Sequence, residues 1–249
     1  MSDVNIVLHK DNHGKDRVFG SLHVGEDVCR LHPNEDGNDE EMDCRPQWAF
    51  MEEESPHDGA KEDRRLGVSD EDFNGTSFHY GMNMVDPSRR RLVDDSGRVV
   101  DIMVVWTLEA ECRNSRLAED CTPTERTEDN MLGVIELAME ETNTAFALSG
   151  VDSMLRLVHA YRHPDYIEPE ENTFGTAIDD LRNHNDGQLE DVHVKRALYG
   201  ADLVAMIMGT MTSCGIAYIG PAKRNTFSAT HYSCATGYYS FGHEIAHSE

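Results

Sequence analysis

Basic residues are scarce in this chain: 22 Lys and Arg face 47 Asp and Glu, a net charge of −25 over 249 residues. Such a surface repels a phosphate backbone instead of neutralising it, which argues against nucleic-acid binding. Long apolar runs are also missing. The longest, around Leu203–Gly209, is far short of the ~20 residues that cross a bilayer. Met1–Lys10 contains no apolar stretch of the length a secretory signal needs. Aromatics make up only 7% and apolar residues 39%, enough for one main core with extras. No CxxC pair occurs, so a structural zinc site built from cysteines is not expected.

Cysteine itself is not short. Six fall as sequence-local pairs, Cys29/Cys44, Cys112/Cys121 and Cys214/Cys234. An even set of this kind suits an extracellular protein whose export signal lies outside this sequence; six free thiols in a reducing compartment is the competing reading. Many connectivities remain open at this level.

Along the chain, Asn5–Leu8 and Arg17–Gly25 are short alternating segments between Gly and Asn/Asp turns, the pattern of β-hairpins. From Asn34 to Ser96 hydrophobicity collapses, leaving too little apolar surface to order the segment. The expected units are therefore a β-rich region at 1–45, an acidic linker at 46–96 and an ordered domain at 97–249. Arg64-Arg65 and Arg89-Arg90-Arg91 are either processing sites or basic patches in a flexible segment.

Val99–Thr107 is a β-branched apolar run, as a strand buried on both faces requires. A polar stretch with Cys112 and Cys121 follows. A helix then starts at Thr124 with acidic residues in its first turn, carries Met131, Val134, Ile135, Ala138, Ala145 and Phe146 on one face, and ends at Ser149-Gly150. Met154–Arg162 is a second strand, Thr176–Asn183 and Val192–Tyr199 are short helices, and Ala201–Gly209 is a third strand. The order β, α, β, α, β predicts an α/β, three-layer arrangement with helices packed on a sheet.

His243-Glu244-Ile245-Ala246-His247 is an HExxH motif. On a helix, residues four apart share a face, so both imidazoles can reach one Zn²⁺, and the intervening Glu can take a proton from water that the metal has acidified. His159, His163, His184, His193 and His231 have no such spacing and are expected to be satisfied residues without a ligand role.

Three segments, Cys214–Gly220, Phe227–Ala235 and Tyr238–His247, together resemble the adamalysin/reprolysin-type metalloproteases of the metzincin clan, over about residues 97–249. The resemblance implies an α/β, three-layer zincin subdomain with a mixed sheet and an antiparallel edge strand. It implies zinc ligands His243 and His247, general base Glu244, and a substrate-binding edge formed by Gly215, Ile216, Ala217, Tyr218 and Ile219. A protein or peptide substrate would lie there as an extended strand. It further implies a Cys214–Cys234 bridge and a pro-region remnant at 1–45, in which Cys44 either blocks the metal as a thiolate or pairs with Cys29. The family pattern continues past the second His to a Gly turn, a third His and a Met-turn. None of these is in the sequence, so the chain is expected to be a fragment that holds zinc weakly. The function implied is a secreted zinc metalloendopeptidase; the other class is a non-catalytic interaction protein on the same scaffold.

Overall fold

The structure, a computed structural model, describes residues 4–24, 27–33, 40–46, 99–118, 121–170, 173–210, 213–219 and 226–247. The expected linker with its arginine clusters lies outside them, apart from Pro46, as do Ser248 and Glu249. The described residues form two sheets.

The first is an antiparallel meander of β1 (Val4–Lys10), β2 (Asp16–Val24), β3 (Asp27–Pro33) and β4 (Glu40–Pro46). The β1–β2 turn is held by Asp11, whose Oδ1 accepts from the backbone N–H of His13 at 3.0 Å and of Lys15 at 2.7 Å, a side-chain mimic of a backbone turn. β4 lies in the stretch expected to be too polar to order. Its place comes from the ladder to β3 and from a crosslink rather than from apolar burial: Cys29 and Cys44 stand opposite one another and are disulfide-bonded. That bond leaves Cys44 no thiol to offer a metal, so the thiolate-blocking alternative is overturned.

The second sheet has the order β6-β5-β7-β9-β8, from β5 (Val99–Trp106), β6 (Met154–Arg162), β7 (Leu203–Met208), β8 (Gly215–Ala217) and β9 (Phe227–His231). Its strands are parallel except β8, which runs antiparallel to β9 at the edge. Among the described residues the helices are α1 (Leu108–Asn114), α2 (Glu125–Ser149), α3 (Thr173–Arg182), α4 (Glu190–Tyr199) and α5 (Ser240–Ala246). Alternate residues of β5 divide between two cores. Ile102, Val104 and Trp106 pack with Met131 and Ile135 of α2 and with Phe241 and Ile245 of α5. Met103 and Val105 pack with Phe174 and Leu181 of α3 and Val192 of α4. Helices thus cover both faces of the sheet, giving three layers, and β5 and β7 read as continuous apolar runs for that reason.

The expected bounds of α2 hold because its ends are chemically marked. Thr124 and Thr127 form a reciprocal capping box, and Gly150 closes the helix in the left-handed region at φ 73°. Helix α1 occupies part of the expected polar stretch. It is seven residues long, too short to show a period, and depends on Thr107 as N-cap, the Cys112–Cys121 disulfide and the buried Glu111. The Glu111 carboxylate accepts from the Trp106 indole at 2.8 Å and the Thr127 hydroxyl at 2.6 Å, and pairs with Arg162 at 3.2 Å.

The first sheet docks on α2 and on the loop between β9 and α5. Phe19, 2% exposed, sits with Val134, Leu137 and Ala235, and a Cβ on Gly133 would come within 2.0 Å of its ring. The Arg30 guanidinium donates to the Ser233 carbonyl and lies 5.2 Å from the Tyr238 ring centroid. Both oxygens of the Glu141 carboxylate lie 2.9 Å from the Gly237 N–H.

Candidate metal centre and edge strand

Helix α5 is anchored on one side by Phe241 and Ile245, each 1% exposed. Gly242 lies against α2 so closely that a Cβ there would come within 2.8 Å of the Thr142 hydroxyl. These contacts fix the helix in rotation. His243 is left exposed and His247 half-buried, one turn apart. Their Nε2 atoms converge to 3.2 Å, with the rings edge to face. Two nitrogens each bonded to one tetrahedral zinc at its usual distance stand about 3.3 Å apart, so the separation of the pair matches that of two zinc ligands. Among the described residues, no group of three or more His, Cys, Asp or Glu could hold a metal.

Glu244 lies under the edge strand, 8% exposed. Burial pushes its carboxyl above the ordinary value, and the adjacent His243 works in the opposite direction. Its side chain abuts Gly215, so the chain brings His243, His247, Glu244 and the start of β8 together. The ladder to β9 covers Gly215, Ile216 and Ala217. Tyr218 and Ile219 continue past it, Tyr218 beneath the Arg182 guanidinium at 4.3 Å and Ile219 78% exposed. The Cys214–Cys234 disulfide ties the strand to the loop before α5.

The other histidines considered above, His159, His163, His184, His193 and His231, have other contacts. His231 is fully buried between the Gly209 carbonyl, 2.9 Å from Nε2, and the Ser233 hydroxyl, 2.7 Å from Nδ1; burial holds its pKa down at about 4. His159 stacks between Tyr161 and Tyr199, and His163 pairs with Asp191 at 2.8 Å. His184 and His193 stack with centroids 3.7 Å apart, a contact that their spacing in sequence does not signal. Glu168, in the loop before α3, also escapes sequence reasoning. It joins the ends of β5 and β7 by accepting from the Thr107 hydroxyl and from the backbone N–H of Gly209 and Thr210, each at 2.6 Å for the amides.

Residues 133–248 match the family model of reprolysin-like metallopeptidases, family M12B. This stretch is similar to reprolysin-like metallopeptidases. It starts within α2, so β5, α1 and the first turns of α2, which the resemblance included, lie outside the match. The peptidyl-Asp metalloendopeptidase of Xanthomonas campestris pv. campestris is 35% identical over 119 residues, covering 47% of this chain and 28% of that protein. The protein of the same name from Pseudomonas aeruginosa is 31% identical over 168 residues, 60% of this chain and 24% of its own length. The match thus spans about a quarter of the length of such relatives. Metalloproteinase-II from Bacteroides fragilis superposes with a TM-score of 0.49 and 11% identity over 99% of this chain and 68% of that chain, a likeness too loose to bear on fold or function. The matched stretch holds both histidines, Glu244 and the whole of β8.

Proposed function

We propose that this chain carries the N-terminal part of the catalytic unit of a secreted zinc metalloendopeptidase, preceded by a pro-region remnant and a linker. The observation that carries the reading is the 3.2 Å convergence of the His243 and His247 Nε2 atoms beside a desolvated carboxylate within a segment of metallopeptidase type. His243 and His247 would hold the ion through Nε2, with a further ligand supplied from outside the described residues. When bound, zinc supplies a Lewis acid that acidifies water and polarises a carbonyl.

The protein's own groups do the rest. The outer side of β8, from Gly215 towards Ile219, takes a peptide as an added antiparallel strand, main chain to main chain. Glu244 accepts a proton from water at a carboxylate oxygen and returns it to the departing amine. Aspartyl peptides are the substrate class that the relatives' name suggests. Three disulfides suit an exported protein.

The test uses the full-length protein. Glu244→Gln should lower kcat by about 10²-fold or more with bound zinc unchanged, whereas His247→Ala should lose metal and activity together. Near-normal turnover by the Gln variant would refute the proton-transfer role.

A further inference from the structure

Gly215 has no backbone reason to be glycine. It lies in a regular antiparallel ladder opposite Thr230 and is not among the glycines with positive φ, so an L-residue could adopt its conformation. The space beside it is what excludes a side chain. A Cβ at this position would lie 2.6 Å from Glu244 Cγ, 2.7 Å from Oε1 and 2.9 Å from Cδ, well inside van der Waals contact.

Neither backbone can retreat. The Gly215 backbone is held by the preceding Cys214–Cys234 disulfide, by the His231 N–H donating to the Cys214 carbonyl at 3.0 Å, and by the Ser213 hydroxyl donating to its own carbonyl at 3.0 Å. On the other side, Phe241 and Ile245 lock α5 into the core. The Glu244 side chain is therefore what must move. Among the described residues no hydrogen bond to the Glu244 carboxylate is found, so packing against the bare Cα of Gly215 sets where its oxygens lie.

We propose that Gly215 is a positioning residue: the missing side chain on the edge strand is the slot that seats the Glu244 carboxylate beside the His243–His247 pair. This rests on the proton-transfer role assigned to Glu244 above. It adds to β8 a task separate from pairing with a peptide, because the same residue sets the place of the base.

The first test needs neither metal nor activity and uses the 249-residue chain. Gly215→Ala should lower Tm by more than about 3 °C, and the loss should vanish in a Glu244→Ala background, where the colliding Cγ, Cδ and Oε1 are gone. If Gly215→Ala fails to fold alone, recovery of folding in the double variant reads out the same coupling. An equal loss in both backgrounds, or none in either, overturns the proposal. In the full-length enzyme, Gly215→Ala should reduce kcat at least about 10-fold with KM for a peptide little changed, and should have no further effect on Glu244→Gln. A raised KM with kcat retained would place Gly215 in substrate pairing alone and also overturn it. Loss of activity in Glu244→Gln with full activity in Gly215→Ala refutes the slot and leaves the base intact; activity retained in Glu244→Gln refutes the base itself.

Discussion

Glu141 makes the stability of this protein depend on pH in a direction opposite to that of a salt-bridged carboxylate. Its side chain is 1% exposed where the first sheet, α2 and the β9–α5 loop meet. Burial lifts its carboxyl from 4.5 to about 7, against the pull of the Ser21 hydroxyl, the Gly237 N–H and the Arg30 charge. The folded protein keeps this proton up to about pH 7, whereas the unfolded chain releases it near 4.5. Stability from this group is therefore present in full at low pH, falls as pH rises through that window and levels off above it. At 1.36 kcal/mol per tenfold, the span corresponds to roughly 3 kcal/mol. Glu141→Gln removes the titration while keeping an acceptor for Gly237. Above about pH 7 it also leaves the half-buried Arg30 with less compensating charge, so the informative quantity is the slope. Urea unfolding of both proteins at intervals from pH 5 to 8 should show their difference changing by roughly 3 kcal/mol across the range. Parallel profiles would mean that Glu141 is ionised across this range in the folded protein as in the unfolded chain, and would refute the reasoning.

Two further substitutions probe the packing. Gly133→Ala would stabilise an exposed helix by about 1 kcal/mol, but here it evicts Phe19 and should destabilise in urea unfolding, with the loss disappearing in a Phe19→Ala background. Replacing Cys214 and Cys234 together by Ser opens a bridge of sequence separation 20 and should cost about 3 kcal/mol by calorimetry in the chain-entropy view; an unchanged Tm would mean that the edge strand holds its place without the crosslink.

What could be read in the sequence is what local chemistry dictates. The strands from Val99 and Met154 and the helix from Thr124 to Gly150 are legible because apolar periodicity and caps act over a few residues. His243 and His247 are legible as a pair because one helical turn brings them to one face. Contacts made across the fold were not legible. The apolar residues Val4, Ile6 and Leu8 of β1 face outward while Asn5 and His9 are buried, and alternation alone cannot say which face docks. β4 and α1 owe their order to a ladder, crosslinks and a buried carboxylate supplied from elsewhere. The seat of Glu244 against Gly215, across 29 positions of chain, exists only once α5 is locked into the core and β8 is pinned at the sheet edge. The residue types of the candidate centre were thus determined by the sequence, and their placement by tertiary packing, because dense interiors fix side chains through neighbours that are distant along the chain.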